Sequence, residues 1–266
     1  MATCFINERL VPVARRSDVL IVHPHCQRTG GGTFRNRVLL PMFGKDKVYA
    51  RLFVPGAKRW SRLSEAELAP YRAYTDLHNF VDLGLSRPHV AVALVRDPVY
   101  RAISLYHFVR RTSGHRHQAL ALRFGLEEFY ARASSATPTY FRNVQCRRIC
   151  GFGDARRAVA FLNARYIGAG FANELGDFVK NLCGVFGWPE IDLKPKSPDT
   201  ERYAAEATPR FRAMVAADNA EDQALFEILS AGPPFAPPAR TLGRRLQTWT
   251  TEAWNLSLAL GRRLGG

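Results

Sequence analysis

Two basic stretches of this chain carry residues whose types and spacing suit the handling of an anion. The first is Val19 to Arg37, VLIVHPHCQRTGGGTFRNR, in which a short apolar run breaks into a basic triple-glycine turn and then into a helix-like segment. Gly30, Gly31 and Gly32 lack Cβ, so the backbone there can take positive φ and turn its N–H groups toward a ligand. Thr33 is placed to cap or open a helix running toward Met42. The partial positive charge of that helix start would add to Arg28, Arg35 and Arg37. A phosphate or sulfate is the natural guest, and a plain flexible glycine turn between strand and helix is the competing reading. No Gly-Lys-Ser/Thr follows the glycines, which weighs against a Walker A loop and so against an ATPase or GTPase.

The second stretch is Arg96-Asp97-Pro98-Val99-Tyr100-Arg101-Ala102-Ile103-Ser104. Asp97 is a good N-cap and Pro98 suits the first helical turn. Arg101 and Ser104, three apart, share a helix face, while Arg96 sits where the preceding strand ends. A second phosphate fits such a place. The alternative is that Asp97 caps the helix while Arg96 and Arg101 pair with acids. His23-Pro24-His25 and His115-Arg116-His117 lack the i,i+4 spacing of a helical metal pair and a third ligand, and read as solvated or loop histidines, so no metal site is expected. Cys146 and Cys150, one helical turn apart, read as packing residues.

The elements that must position these loops follow from periodicity. Val19 to Val22 and Val90 to Val95, VAVALV, are unbroken apolar runs typical of parallel strands buried on both faces. Lys47 to Val54 is a second strand ending at Pro55-Gly56, and Arg165 to Phe171 a later one. Ser64 with Glu67 forms a capping box for a helix fading near Tyr74, and Leu77 to Leu85 is ambiguous. Helices are expected over Val99 to Arg111, Leu120 to Arg132, Thr139 to Cys150, Ala155 to Asn163 and Glu174 to Phe186. Two more short ones fit Pro209 to Leu229. The alternation of strand, turn and helix predicts an α/β fold: a parallel sheet flanked by helices, with a mostly helical middle and C-terminal part, binding its ligand at the carboxyl ends of the strands. Residues 1–230 read as one domain, 231–239 as a proline-rich linker, and 240–266 as a basic amphipathic tail.

Thirty-eight Lys and Arg against 23 Asp and Glu leave a formal charge of +15 over 266 residues. The excess is uneven, since Met1 to Arg62 holds 12 basic and 3 acidic residues, a net of +9. Such a field favours an anionic partner without choosing among nucleotide, nucleic acid, acidic glycan and lipid headgroup. Five cysteines, at 4, 26, 146, 150 and 183, form neither a metal spacing nor a disulfide framework. Reduced thiols in a cytoplasmic setting are expected. There is no apolar signal region and no run of eighteen uncharged apolar residues, so neither secretion by a cleaved signal nor a membrane span is expected. In the tail, Trp249, Trp254, Leu256, Leu258 and Leu260 alternate with Arg244, Arg245, Arg262 and Arg263. Two readings stay open for it: peripheral contact with the inner membrane face, or a final helix docked on the protein's own core.

Taken together, these residues resemble the sulfotransferases that use 3′-phosphoadenosine 5′-phosphosulfate (PAPS), in particular the branch holding carbohydrate 2-O-sulfotransferases and many bacterial members. Arg28-Thr29-Gly30-Gly31-Gly32-Thr33 is similar to that family's HxxKTGGTS segment, which receives the 5′-phosphosulfate. Val95 to Arg101 with Ser104, Tyr106 and Phe108 is similar to LRDPVxRxxSxYxF, whose residues matching Arg96 and Ser104 bind the 3′-phosphate. Asn143-Val144-Gln145-Cys146-Arg147 ahead of Gly151 resembles NxQxR…G, and Tyr166-Ile167-Gly168 with Glu174 resembles YxxVGxxE. The resemblance covers about residues 19 to 230. The family's loop lysine is Arg28 here, the loop holds one glycine more, and the family's Gly-His pair is Leu77-His78.

The resemblance implies a P-loop-like fold, PAPS as co-substrate without a metal, and transfer of a sulfuryl group to a hydroxyl of a carbohydrate or glycolipid acceptor. Arg28 would act at the sulfuryl oxygens. His78, between the two donor loops, would be the general base, a role suited to a group titrating near neutrality. The competing reading makes His78 a capping or structural residue, with His25, Glu127 and Glu128 as other candidate bases. A basic nucleic-acid-binding protein and a nucleotide-dependent kinase are the rival functions. The first lacks an identifiable reading helix, and the second lacks GK[ST] and a carboxylate cluster for magnesium.

Overall fold

Runs of valine, isoleucine, leucine and alanine that leave no polar face must be covered on both sides, and they form the middle of the sheet. The computed structural model describes residues 4–50, 63–76, 87–193 and 200–232, all within the unit Met1–Pro234. Its strands are β1 (Cys4–Ile6), β2 (Leu20–Pro24), β3 (Val48–Tyr49), β4 (Ala73–Asp76), β5 (His89–Val95) and β6 (Tyr166–Phe171), in the order β1-β6-β5-β2-β4-β3. β1 runs antiparallel to β6, and every other pairing is parallel. The sheet is therefore mixed rather than purely parallel. β1 escapes sequence reading because three residues are too few to show a period.

The helices are α1 (Val11–Ala14), α2 (Gly31–Phe34), α3 (Leu40–Phe43), α4 (Glu65–Leu68), α5 (Pro98–Arg111), α6 (Gln118–Arg123), α7 (Leu126–Ala136), α8 (Pro138–Phe141), α9 (Val144–Cys150), α10 (Ala155–Arg165), α11 (Leu175–Phe186), α12 (Thr200–Glu206), α13 (Pro209–Asp218) and α14 (Ala220–Ala231). α2 and α3 are joined by a π turn over Arg35–Leu39, where the Leu40 N–H reaches back five residues to the Arg35 carbonyl. Pro41 brings no N–H to the next turn, and the helix widens just before it.

Several expected boundaries move. The capping box at Ser64 and Glu67 is present, but its helix stops at Leu68. Pro70 cannot continue it, and Ala73–Asp76 is the strand β4 inserted between β2 and β3. The expected helix Leu120 to Arg132 breaks before Gly125, the N-cap of α7. The run Thr139 to Cys150 breaks at Asn143, which takes φ 46° ahead of α9. The strand expected from Lys47 to Val54 begins at Val48 and ends at Tyr49, and residues 51–54 lie outside the described residues. The ambiguous stretch from Leu77, His78 within it, the tail 240–266, and the proline-rich linker beyond Gly232 lie outside the described residues.

Two apolar cores hold these layers. On one sheet face Ile21, Val90, Val92, Leu94 and Ile167 meet Phe34, Val38 and Leu39 from the helical run after β2, and Phe178, Val179 and Leu182 from α11. A second core joins α5, α7, α8 and α13 through Ile103, Phe129, Tyr130, Phe141, Phe211 and Val215. Each fully buried Phe contributes about 1.5–3 kcal/mol relative to exposure.

The topology sets the site. From β2 the chain crosses to β3 and β4 on one side, and from β5 it crosses to β6 on the other. β2 and β5 are nevertheless hydrogen-bonded neighbours running parallel. Their carboxyl ends thus flank a topological switch point, where open α/β sheets leave a crevice for ligand.

Candidate functional site

The chain leaves β2 at Pro24 and turns sharply. Thr29 Oγ1 donates to the Cys26 carbonyl at 2.9 Å, Arg28 takes φ 69° and Gly30 φ 93°. The helical run starts at Gly31 with Gly30 as N-cap and no side-chain cap, so Thr33 is inside the first turn and is not its cap. The first intrahelical bond is from the Phe34 N–H to the Gly30 carbonyl at 3.0 Å, and the amides ahead of it have no intrahelical acceptor. The three glycines differ in what they must do. Gly30 supplies the left-handed turn. A Cβ on Gly31 would lie 2.3 Å from His25 Cδ2 and 2.7 Å from His23 Cε1, whereas one on Gly32 would meet nothing within 4 Å. The additional glycine is therefore sterically optional.

The chain leaves β5 at Val95, and Asp97 caps α5 by accepting the Tyr100 N–H at 3.0 Å. That part of the structural alternative holds. Its other part fails at Arg101. Arg101 is 1% exposed and donates to the Phe141 carbonyl at 3.0 Å, so it is an anchor for α8 rather than a partner of an acid. Ser104, also buried, faces the glycine loop: Arg28 Nε donates to Ser104 Oγ at 3.0 Å. Arg96 donates from its guanidinium to the Arg28 carbonyl at 3.3 Å. The structure thus brings Arg28, Arg96 and Ser104 together around the switch point, with Thr29 to Thr33 forming the turn beside them. Aromatic rings back both cations, Phe108 beneath Arg28 at 5.0 Å and Tyr203 beneath Arg96 at 5.2 Å. Such contacts hold a guanidinium in a fixed orientation.

Gln145 fixes the strand end. Its amide accepts from the Arg96 N–H at 2.8 Å and donates to the Arg96 carbonyl at 2.9 Å. Arg147, the arginine of the same sequence segment, turns away to the Arg142 carbonyl. Its neighbour Arg148 is half-buried, and burial, against the pull of Cys26, Asp76 and Tyr140, sets it below its ordinary value. Sequence reading passed over Arg148, Tyr203 and Asp76. Asp76 ends β4, and its carbonyl accepts the His25 N–H at 2.7 Å.

The candidate bases separate. His25 is buried against Gly31, and desolvation together with Arg35, Arg148 and Arg28 pushes it from 6.5 to about 4. His23 is wholly buried and pushed well down by desolvation, with Nδ1 at 2.9 Å from Thr75 Oγ1 and Nε2 without a partner. Both rings are neutral packing groups. Neither is solvated, and His25 lies in the loop just past the end of β2. Glu127 is bonded to Thr208 and Arg210, and Glu128 to Arg132 one turn along α7. Cys146 and Cys150 are buried and their thiols are pushed up, Cys150 to about 11. Among the described residues no group of three or more His, Cys, Asp or Glu is arranged to hold a metal ion, and no helix is long and apolar enough to cross a membrane.

No protein-family model matches the chain, and no curated protein matches it.

Proposed function

We propose that this chain is a P-loop-like sulfotransferase that takes its sulfuryl group from PAPS and passes it to a hydroxyl of an acceptor, a carbohydrate or glycolipid. The observation carrying this reading is the Arg28 Nε to Ser104 Oγ bond of 3.0 Å across the switch point. It joins the two loops that sequence alone marked as anion sites 76 residues apart. The uncapped helix start at Gly30 and the left-handed turn at Arg28 and Gly30 suit the 5′-phosphosulfate. Asp97 already occupies the start of α5, so the 3′-phosphate falls to the Arg96 guanidinium and the Ser104 hydroxyl rather than to that helix end.

When bound, PAPS supplies a sulfur centre open to in-line displacement by the acceptor oxygen, with 3′-phosphoadenosine 5′-phosphate leaving as the bond from sulfur to its 5′-phosphate oxygen breaks. Arg28 gives up Ser104 as the donor arrives, and its forked N–H groups then face the oxygens that gather charge. Gln145 and the ring of Tyr203 keep Arg96 in place at little reorganisation cost. His78, two residues past the end of β4 in sequence, takes the acceptor proton in this reading.

Thermal shift with 3′-phosphoadenosine 5′-phosphate (PAP), with ATP and magnesium, and with duplex DNA tests the class. Stabilisation by PAP above the other two is expected. Stabilisation by ATP with magnesium alone would favour a kinase, and salt-steep stabilisation by DNA alone a nucleic-acid binder.

A further inference from the structure

Residues three and four apart on a helix share a face, and on α5 Ser104, His107 and Phe108 are such a set. Ser104 accepts from Arg28, and Phe108 lies beneath the same guanidinium. His107 is bonded instead to α12: its Nε2 is 2.6 Å from Glu206 Oε2, and the two side chains are 15% and 27% exposed. A carboxylate only accepts, so the proton of this bond lies on Nε2 whether the imidazole is neutral or charged. The bond is charge-assisted, and partial burial spares it much of the screening that weakens surface pairs.

α12 holds the same imidazole a second time. Tyr203 precedes Glu206 by three residues and so shares its face of the helix. Its ring lies parallel to that of His107, with 8° between the planes and 6.1 Å between centroids, an offset stack. Tyr203 is buried, with Tyr100 of α5 at 6.4 Å, and the Arg96 guanidinium lies over its ring at 5.2 Å. Gln145 clamps the backbone of Arg96, which leaves the far end of a long side chain to be oriented by other groups. The guanidinium meets the Arg28 carbonyl at 3.3 Å and the Tyr203 ring. The carbonyl moves with the glycine loop, whereas the ring is tied to α5.

We propose that Glu206 is a positioning residue for Arg96: by bonding His107 it fixes the ring of Tyr203 on which the guanidinium lies. The consequence for a 3′-phosphate rests on the sulfotransferase reading, but the positioning itself does not. The effect passes through His107 and Tyr203, and Glu206 touches no reacting atom.

Nuclear magnetic resonance of the full chain with 15N-labelled arginine, without ligand, tests this. The Arg96 Nε–H signal, identified by its loss in Arg96→Lys, should carry a ring-current shift that Tyr203→Leu removes. Glu206→Ala should remove the greater part of it. Two further variants separate reach from charge. Glu206→Gln keeps an acceptor oxygen at the same distance and should keep the shift, while Glu206→Asp keeps the charge on a side chain one methylene too short and should lose it. Should Glu206→Ala not fold, the Gln and Asp variants decide alone. The inference is overturned if the Asp variant keeps the shift, or if the Gln variant loses it as Ala does. In titrations, Glu206→Asp should weaken PAP by about three- to tenfold, leave 5′-AMP unchanged, and add nothing to Arg96→Ala. Equal losses for PAP and AMP would make Glu206 a general structural residue and overturn the proposal. A parent protein indifferent to PAP whose Arg96 signal responds as expected would keep the positioning role and remove the sulfotransferase reading.

Discussion

Gly31 is the residue on which the loop is folded, because any Cβ there would run into two buried imidazole rings. His23 and His25 are stacked at 5.5 Å, and His23 is tied to Thr75 behind them. Gly31→Ala should therefore cost about 1–3 kcal/mol through overpacking, whereas Gly32→Ala, facing open space, should be neutral or stabilising by up to about 1 kcal/mol. Denaturant midpoints of the two variants check this, and equal losses would contradict it. The same rings impose a pH dependence. His25 is held at about 4 against 6.5, so the unfolded chain binds more protons than the folded one between those values. Stability is complete above pH 6.5 and falls as pH drops toward 4, by about 3 kcal/mol for this group. Unfolding curves from pH 7.5 to 4.5 should show a shallower fall in His25→Asn than in the parent, and an unchanged slope would exclude His25 as the cause. The triple glycine was plain in the sequence. Which glycine bears the constraint was not, since that depends on where β2 places two histidines.

At the scale of elements, α9 and α14 cap each other. Asp222 accepts the N–H groups of Gln145 and Cys146 at 2.9 and 2.8 Å, and Asn143 Oδ1 accepts those of Glu221 and Asp222 at 3.1 and 3.2 Å. Gln145 in turn clamps Arg96, so the site is braced through a helix pair more than seventy residues apart in sequence. Asp222→Ala leaves two buried N–H groups without acceptors and should cost about 2–4 kcal/mol by denaturant titration. A cost under about 0.5 kcal/mol would show the brace to be idle. Local signals were readable: the apolar runs of β2, β5 and β6, the caps at Ser64 and Asp97, and the stop at Gly187 with φ 67°. Long-range ones were not. β4 was hidden because AYTD looks like the fading end of a helix until β2 and β3 are seen to need a strand between them, and the Asn143 to Asp222 exchange has no local trace.

Across the whole molecule, a charge of +15 gives attraction to anions without selecting one, and in the proposed function selection falls to the switch point. The tail 240–266 carries its own claim, since basic residues interleaved with tryptophan and leucine suit an anionic bilayer surface. The full chain should float with vesicles containing anionic lipid, and a chain stopped at Pro238 should not. Equal behaviour of the two would reject membrane contact through the tail. The central claim is that Arg96 and Ser104 read a 3′-phosphate beside the glycine loop. The most direct test is calorimetric titration of PAP and of 5′-AMP, which lacks that phosphate, into the parent protein and Arg96→Ala. The account predicts that the parent binds PAP more tightly than AMP, and that the substitution weakens PAP by about ten- to a hundredfold while leaving AMP nearly unaffected. Equal loss for both nucleotides, or a parent protein that does not distinguish them, would contradict it.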